Sequence, residues 1–404
     1  MLYQFTFKNF KSYKEETIFD MQAENIEEFS ESLLETKSGR KILPVSVIYG
    51  PNGGGKSGVL EALVCLISLV IKPIKLLEKA VTPYNIQFAF YNDYKPYMFD
   101  KESVNQPTEF EVFFDTGKAE YRYVLSVLKG LIVEEYLYKR DYNSKKPAKI
   151  YSRLRDKITL GEILKKENAG TSVNENMPYL TYLAINNSIE IIKDVIGWFT
   201  NAVSINYANN YSNDISKLEI EEMKQMLLMI LKKMDIDIED YRIEKRDIGQ
   251  EIITKHKNES GEFELTLRNE SQGTHKLFNL IPNIIDSIAL GGLAIIDELD
   301  SKLHPKLLQN IIGIYKDKNI NKRNAQLIFT SHDLTTMSNK IFRRDEIWFA
   351  CKDKNKVSEI YSLYDIRDEK GEHIRANANF NKQYIEGRYG ADPYLSKILN
   401  WEVK

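Results

Sequence analysis

The chain has 404 residues, of which 43% are hydrophobic and 28% are charged, and its formal net charge is −2. This composition is typical of a globular protein with one large domain or two smaller ones. The near-zero charge gives no overall electrostatic case for nucleic acid, and two distant cysteines exclude a disulfide framework. The first residues lack a signal-peptide pattern, and the most apolar window, residues 59–71, is too short to span a bilayer. We therefore expect a cytoplasmic protein without a membrane partner.

Strand patterns begin the chain. Residues 2–8 alternate apolar and polar side chains, a turn at residues 9–12 follows, and residues 17–19 begin a second strand. Residues 21–40 are acidic and mixed in character. We interpret them as an exposed, partly helical connection.

A glycine-rich stretch at residues 50–57 matches the phosphate-loop pattern G-x-x-x-x-G-K-[ST]. An apolar run precedes it and a helix-forming run follows it, so the loop would place its backbone N–H groups around a phosphate. Lys56 would contact the β- and γ-phosphates, and the Ser57 hydroxyl would bind Mg²⁺. The predicted nucleotide ligands are Gly50, Asn52, Gly53, Gly54, Gly55, Lys56 and Ser57. The alternative is a glycine turn that only caps a helix.

Three strand-like runs follow the phosphate-loop helix, at residues 108–114, 121–128 and 131–138. Their close spacing predicts an antiparallel sheet. Residues 139–157 then contain eight Lys or Arg residues. This stretch is either a solvated hairpin or a contact surface for nucleic acid or an acidic partner.

From residue 186 to residue 234 the pattern is helical, and six apolar side chains share one predicted helical face. They are Met223, Met226, Leu227, Ile230, Leu231 and Met234. The face either packs into the core or forms a methionine-rich groove for a partner. No heptad pattern extends beyond this region, which excludes a long coiled-coil arm.

An apolar run at residues 293–296 ends in two carboxylates, Asp297 and Glu298. If the run is a strand aimed at the phosphate loop, Asp297 would hold Mg²⁺ and Glu298 would orient the attacking water. The alternative is a buried strand followed by a solvated acidic turn.

Two further segments fit a nucleotide site. A buried-strand pattern at residues 326–330 precedes His332, which can contact the γ-phosphate and report its presence. The alternative is a satisfied loop histidine. Ser271 and Gly273 stand before a predicted helix at residues 277–288, where they form an N-cap and also an anion site. From these residues alone, the cap is favoured.

The order of these elements resembles that of the ABC ATPases of the SMC, RecF and OLD type. The resemblance assigns Ser271-Gln272-Gly273 to the signature motif of that family, with one glycine replaced, and residues 299–304 to its D-loop. It also implies that the N-terminal turn lies near the nucleotide. The residues of this turn that would contribute are Asn9, Lys11 and Ser12.

More closely, the chain resembles the small ABC ATPases called RloA, AbiL-type and AriA, which occur in prokaryotic anti-phage operons. The similarity runs nearly end to end and includes residues 344–349 and 386–390, for which the pattern suggests no chemical role. The glutamine loop of the family has three candidates here, namely Gln87, Gln106 and the loop at residues 207–210.

We therefore predict an α/β fold with a two-lobed ABC-type ATPase head, in which a P-loop NTPase core carries an antiparallel β subdomain and a short helical insertion. Residues 1–150 would form lobe I with the phosphate loop. Residues 151–244 would form the mostly helical insertion, and residues 245–404 would form lobe II with the signature, acids, D-loop and switch histidine. The strands before the phosphate loop, the two acids and the histidine should lie together in a mostly parallel core.

The resemblance implies ATP and Mg²⁺ as cofactors and a homodimer, or higher oligomer, in which the signature of one copy completes the ATP site of the other. The expected role is ATP-driven control of a separately encoded effector, a nuclease, in an anti-phage system triggered by DNA or a phage protein. The chain after His332 is too short for the nuclease domain of the OLD type, so the effector would be another polypeptide. The alternatives are a RecF-like or SMC-like DNA repair ATPase, the ATPase subunit of a transporter, and a nucleotide-locked scaffold with little turnover.

Overall fold

The structure is a computed structural model, and it describes residues 1–77, 94–206, 215–246, 249–368 and 370–391. Its strands are β1 (Leu2–Lys8), β2 (Thr17–Asp20), β3 (Leu34–Glu35), β4 (Lys41–Ile42), β5 (Val45–Tyr49), β6 (Thr108–Asp115), β7 (Glu120–Leu128), β8 (Leu131–Arg140), β9 (Ala148–Leu154), β10 (Lys157–Leu160), β11 (Val203–Asn206), β12 (Asp240–Arg246), β13 (Gly249–Asn258), β14 (Gly261–Thr266), β15 (Leu293–Asp297), β16 (Gln326–Thr330), β17 (Ile347–Lys352) and β18 (Ser358–Ser362). Its helices are α1 (Lys56–Leu77), α2 (Glu162–Lys166), α3 (Tyr179–Asn186), α4 (Glu190–Thr200), α5 (Ile215–Leu218), α6 (Glu221–Lys233), α7 (Gln272–Leu290), α8 (Pro305–Lys316) and α9 (Phe380–Ile385).

The central sheet follows the strand order β11-β15-β16-β5-β17-β18. All of its neighbouring strands are parallel except β18, which is antiparallel to β17. This confirms the prediction that the strands before the acids, the histidine and the phosphate loop lie side by side. Thr330, the last residue of β16, is level with Ile48 near the end of β5, and Ile296 of β15 is level with Phe329. The carboxyl ends of the three strands therefore meet at one edge, where ligands of α/β sheets bind.

Alternate residues of the central strands face two different cores. In β5, Ile48 packs with α1 and the outer sheet, whereas Val47 and Tyr49 pack with residues of α7 and α8. Both faces of the central sheet are thus covered. This explains why its strands are continuous apolar runs in the sequence.

The outer sheet consists of antiparallel strands in the order β10-β9-β8-β7-β6-β1-β2. β1 has the predicted bounds, and β6, β7 and β8 extend slightly beyond the predicted runs. Together, the two sheets confirm the predicted α/β class with antiparallel strands beside a mostly parallel core. A smaller antiparallel sheet, β12-β13-β14, precedes α7.

Residues 21–40, all described by the structure, differ from the predicted exposed, partly helical connection. They contain the 3-10 helix Ser30–Ser32 and the short strand β3, but no α-helix. Met21, Leu33 and Leu34 are buried in the core that contains α1. The sequence pattern did not indicate these buried residues, because the acidic residues between them dominate the composition and face outwards.

The predicted helical insertion also contains strands that the sequence pattern did not indicate. β9 and β10 extend the outer sheet, and β11 is a parallel neighbour of β15. β9 crosses the predicted bound at residue 150, and β12 crosses the bound at residue 244. Runs this short do not separate strand from helix by periodicity. The domain bounds themselves stay predictions.

The apolar face predicted around residues 223–234 is partly correct. Met223, Leu227 and Leu231 of α6 are buried in line with one another, as a four-residue repeat requires. Met226, however, is 46% exposed, and the neighbouring Met229 is exposed as well. The core interpretation therefore applies to one stripe of this helix.

The basic stretch at residues 139–157 is partly neutralised within the fold. Arg153 is fully buried, and its guanidinium donates to three backbone carbonyls beside the buried Glu135. Lys139 and Arg140 each form an ion pair with a nearby carboxylate. The lysines at positions 145, 146 and 149 stay exposed, so the contact-surface interpretation remains a prediction for that part of the hairpin.

The helix that carries the apolar window is long enough to cross a membrane, so the expectation that it is too short was wrong. From Lys56 to Lys75 its mean hydropathy is 1.9, but 67% of the window is buried inside the protein. A core helix of this kind packs between two sheets and needs a continuous apolar surface.

The stretches near residues 344–349 and 386–390 have structural roles. The guanidinium of Arg343 is fully buried, donates twice to Asp345 at 2.8 Å and also donates to the Glu24 carbonyl at 3.0 Å. It therefore anchors the loop after β2. The carbonyl of Tyr389 accepts from the Tyr361 hydroxyl at 2.6 Å, which holds the turn after α9 against β18.

Candidate nucleotide-binding site

The phosphate loop, residues 50–57, connects β5 to α1 at the edge where the parallel strands end. Gly50 has φ +146°, and a Cβ there would lie 2.1 Å from the Ala350 carbonyl oxygen. A Cβ on Gly54 would lie 2.7 Å from the same oxygen. These two glycines are required because β17 passes directly beside the loop. Gly53, at φ +74°, supplies the left-handed turn between them.

Lys56 begins α1, and its side chain returns to the loop. Its ammonium donates to the carbonyls of Gly50 at 2.9 Å and Pro51 at 3.1 Å, and the residue is only 6% exposed. Burial lowers the pKa of Lys56, while the nearby Asp297 and Glu298 act in the opposite direction. The Lys56 side chain is therefore already placed against the loop carbonyls, where a phosphate would meet it.

Three residues remote in sequence support the loop from outside. The Tyr13 hydroxyl donates to the Gly55 carbonyl at 3.0 Å. The Ser358 hydroxyl donates to the Gly54 carbonyl at 3.0 Å and contacts the Ser12 hydroxyl at 2.8 Å. Ser12 was predicted near the nucleotide, and the structure places it beside the loop. Tyr13 and Ser358 were not predicted, because neither belongs to a nucleotide motif.

Asn9 and Lys11 lie in the same N-terminal turn but do not reach the loop. The Asn9 side chain is buried, donates to the carbonyls of Ser103 at 2.8 Å and Gln106 at 3.0 Å, and accepts from the Tyr97 N–H at 2.9 Å. These bonds already use both ends of the amide, and the contact of Asn9 with the nucleotide stays a prediction. The Lys11 ammonium is paired at 2.5 Å with Glu61 of α1.

Ser57, Asp297 and Thr330 form the hydroxyl–carboxylate centre of the site. Asp297 Oδ1 accepts from the Ser57 hydroxyl at 3.0 Å and from the Thr330 hydroxyl at 2.6 Å, and Asp297 is 8% exposed. The structure thus brings together the two predicted metal ligands from residues far apart in the chain. Thr330 was missed, although its place at the end of a buried parallel strand was a usable signal.

Glu298 is the next residue after Asp297, and its carboxylate has a different hydrogen-bonding environment. Its backbone is left-handed, at φ +51°, and its N–H donates to the Thr330 hydroxyl at 2.7 Å. Within the described parts of the chain, the Glu298 carboxylate accepts no hydrogen bond and is half-buried. One acid is therefore bound to hydroxyls, while the next is free to bind a water molecule.

His332 lies two residues after β16, and its side chain is exposed. Its backbone N–H donates to Asp300 Oδ2 at 3.1 Å, which ties the histidine loop to the predicted D-loop. The role of the imidazole at a γ-phosphate stays a prediction.

Ser271 caps α7, as the sequence alone favoured. Its hydroxyl oxygen accepts from the Thr274 N–H at 3.1 Å. A Cβ on Gly273 would lie 3.1 Å from the Lys302 carbonyl oxygen, so the helix start and the D-loop are close neighbours. No hydrogen bond between described residues joins Ser271 or Gly273 to the phosphate loop of the same chain.

Lys276, one turn into α7, was not predicted and connects this helix to the acids. Its buried ammonium donates to the carbonyls of Glu298 at 2.9 Å, Leu299 at 2.9 Å and Ser301 at 2.7 Å. Burial lowers the pKa of Lys276 to about 7, and Asp300 acts against this shift. Three ammonium hydrogens match three carbonyls, so the lysine holds the D-loop turn on the helix.

We expect Lys276→Met to lower the free energy of unfolding by about 3 kcal/mol, because buried carbonyls lose a charged donor. ATP turnover should fall as well, by about tenfold, since Glu298 loses its support. Urea unfolding and a phosphate-release assay measure the two effects. The exposed Lys306→Met is the matched control. If both variants unfold at the same urea concentration, the three bonds contribute nothing to stability.

The structure does not identify which of the three candidate segments is the glutamine loop. Gln87 and residues 207–210 lie outside the described residues. Gln106 follows a short 3-10 helix, and its carbonyl accepts from the Asn9 side chain.

The oxygen donors at the centre suit Mg²⁺. A hydroxyl and a carboxylate, Ser57 and Asp297, are hard ligands of the kind that Mg²⁺ binds together with water and substrate phosphates. Within the described residues, no group of three or more His, Cys, Asp or Glu side chains could hold a metal ion by itself. The donor set therefore fits a metal that is shared with a nucleotide.

Comparison with known proteins gives a family match over most of the chain. Residues 45–338 match the family model described as "AAA domain, putative AbiEii toxin, Type IV TA system". No curated protein matches the sequence. Among solved structures, the SMC head domain from Thermotoga maritima is 15% identical, with a TM-score of 0.42, and the match covers 89% of this chain and 98% of that chain. The family match spans the phosphate loop, the acids and His332.

Proposed function

Since this chain belongs to the AAA domain family of the AbiEii type, we propose that it binds ATP with Mg²⁺ and hydrolyses it. The observation that carries this proposal is the hydroxyl–carboxylate centre of Ser57, Asp297 and Thr330 at the edge of the central sheet. Asp297 binds the Ser57 hydroxyl at 3.0 Å, while the adjacent Glu298 carboxylate has no hydrogen-bond partner among the described residues. An ATPase needs this division between a metal-holding acid and a water-orienting acid.

The residues have separate tasks in this scheme. The loop N–H groups and Lys56 would hold the phosphates, and Ser57 and Asp297 would hold Mg²⁺, which neutralises charge on the phosphate oxygens when bound. Glu298 would orient the attacking water and accept its proton. Its left-handed backbone, held by the Thr330 hydroxyl, would aim the carboxylate at that water.

We further propose that two copies close head to head around ATP. Ser271 and Gln272 are exposed at the start of α7, and Ser271 makes no hydrogen bond to the phosphate loop of its own chain. The positive end of a helix dipole stabilises a phosphate placed there. A phosphate bound in the loop of a second copy would meet this requirement, and Lys276 would transmit the contact to Glu298.

Ser271→Arg tests this arrangement. We expect ATP affinity to change less than twofold, because Ser271 makes no hydrogen bond to the loop of its own chain in the described structure. ATP-driven dimerisation and turnover should be lost, because the arginine side chain would exclude the second copy. Light scattering with and without ATP and a phosphate-release assay provide the measurements. Ser260→Arg, at the exposed turn between β13 and β14, is the control. Normal turnover by Ser271→Arg would leave the serine with a capping role only.

The biological role that we propose is control of a separately encoded effector, a nuclease, in a prokaryotic anti-phage system of the cytoplasm. Support comes from the family description, which names a putative toxin and a type IV TA system. The described residues also contain no group of three or more His, Cys, Asp or Glu side chains that could hold a metal ion, as many nucleases do. The test is co-expression with the adjacent gene, followed by phage challenge and affinity purification in each nucleotide state. If the protein protects alone or no neighbour co-purifies, a DNA repair ATPase becomes the better explanation, and ATP-dependent binding to duplex DNA would identify it.

A further inference from the structure

A groove of about 610 Å³ is lined by acidic residues and by Ser358, whose hydroxyl donates to the phosphate loop. One wall is β2 with the residues around it, and the other wall is β18 with the turn before it. We call this feature the acidic groove. It is separate from the acids of the ATP site, since Asp297 and Glu298 do not line it.

The groove has an unusually one-sided charge. Of the described residues that line it, eight are Asp or Glu and none is Lys, Arg or His. Those that the argument uses are Glu15, Glu16 and Asp20 on one wall and Asp353, Glu359 and Asp365 on the other. Burial and the neighbouring carboxylates raise the pKa of Glu24, which also lines the groove. The acids therefore repel one another where no cation stands between them.

A buried donor without a partner lies in the same wall. Trp348 lines the groove and is only 7% exposed, yet its indole Nε1 has no hydrogen-bond partner. Buried indole N–H groups are normally paired, and leaving one unpaired is costly. A carbonyl oxygen in the groove would satisfy it.

The walls also include two strand edges. β2 is the last strand of the outer sheet and β18 is the last strand of the central sheet, so each has one edge without a strand partner in the described chain. On β18, however, the N–H groups of Ser358 and Ser362 already donate to Ser12 and Asp365, so β2 offers the less occupied edge. Such edges pair with an extended peptide through main-chain hydrogen bonds. Ile18, 46% exposed on β2, gives the groove an apolar contact as well.

We propose that the acidic groove binds an extended segment of a protein partner that is rich in lysine and arginine. The carboxylates would recognise its side chains, and the edge of β2 and Trp348 would recognise its backbone. A metal ion is the weaker candidate, because no three carboxylates among the described residues converge on one point. An extended polycation matches charges spread along two walls.

The test measures binding of a fluorescent octapeptide that alternates Lys or Arg with Val or Thr, by fluorescence anisotropy at 50 mM salt. The variant Glu15→Lys/Glu16→Lys/Glu359→Lys changes three exposed acids of the groove. We expect it to weaken the peptide at least about tenfold, as reversal of three surface ion pairs predicts. Trp348→Phe should weaken it about three- to tenfold through the lost N–H bond. A peptide with Glu in place of Lys and Arg should not bind.

The control variant Glu167→Lys/Glu239→Lys/Glu259→Lys makes the same change in net charge on exposed sites elsewhere. If it weakens the peptide as much as the groove variant does, binding is non-specific and the proposal is wrong. Displacement of the peptide by millimolar Ca²⁺ at constant ionic strength would assign the groove to a metal ion and overturn it too. The single change Glu359→Lys, with a thermal unfolding scan, guards against misfolding. Because the assay needs no ATP hydrolysis, its result is independent of the proposed ATPase function.

Discussion

Glu298→Gln should bind ATP with the affinity of the unchanged protein and hydrolyse it about 100- to 1,000-fold more slowly. The backbone of Glu298 is held by the Thr330 hydroxyl, whereas its carboxylate is unbonded in the described structure. The amide would therefore take the same position but lose the negative charge that orients water and accepts its proton. Equilibrium binding of a fluorescent ATP analogue and a phosphate-release assay separate the two effects.

Glu372→Gln is the matched control, since it makes the same chemical change at an exposed position. We also expect Glu298→Gln to accumulate in the ATP-bound dimer, because the step that reopens the dimer is slow. A loss of ATP affinity in this variant as large as that of a phosphate-loop variant would contradict the assignment. Glu298 would then be a structural acid of the turn.

Lys56→Ala should lose ATP affinity by at least about 100-fold. The ammonium donates to two loop carbonyls, is buried at the start of α1, and is a charged donor within the loop itself. A hydrogen bond from a cation to a phosphate contributes about 3 kcal/mol in a partly buried site, and that free energy corresponds to about 100-fold in affinity.

The control for Lys56→Ala is Lys72→Ala, which removes a lysine from the far end of the same helix. Calorimetric titration with ATP and Mg²⁺ measures both variants, and circular dichroism checks that α1 remains folded. ATP binding within twofold of the unchanged protein would mean that the nucleotide, if any, binds elsewhere. Lys56 would then be a helix-start residue that only satisfies loop carbonyls.

The sequence predicted the parts of the site that lie within single motifs. The strand, loop and helix around Lys56 and the strand that ends at Asp297 occur where the patterns placed them. Each depends on short-range features, namely an apolar run, glycines with left-handed φ and an acid after a buried strand. Their juxtaposition was also predictable, because parallel strands end at the same edge of a sheet.

The supporting residues could not be predicted in the same way. Tyr13 and Ser358 act through contacts with residues distant in the chain, and nothing in their local sequence distinguishes them. Thr330 also acts through a distant contact, and its one local signal was its place at the end of a buried strand. Asn9 belongs to a turn that was correctly placed, but only the structure shows that its amide is already used by backbone groups. Lys276 looks like any lysine of an amphipathic helix until the D-loop packs on it.

The exposure of Met226 shows a further limit. A periodic pattern gives the direction of a helical face but not its width, and α6 buries a stripe narrower than its apolar residues suggest. β11 was missed for a different reason. Its run of four residues, Val203–Asn206, is too short to show a periodic pattern.

The place of β5 within the central sheet has a consequence for how the chain is made. β5 pairs with β16 on one side and β17 on the other, and both partners come from the last quarter of the sequence. On the ribosome, at about 5–20 residues per second, the apolar strand would wait roughly 15 to 55 seconds for its first neighbour to emerge. During that time it is an unpaired edge that invites chaperones or aggregation. The loop after β5 also packs against Ala350 and is supported by Ser358, so the nascent chain becomes able to hold ATP only after both residues have emerged.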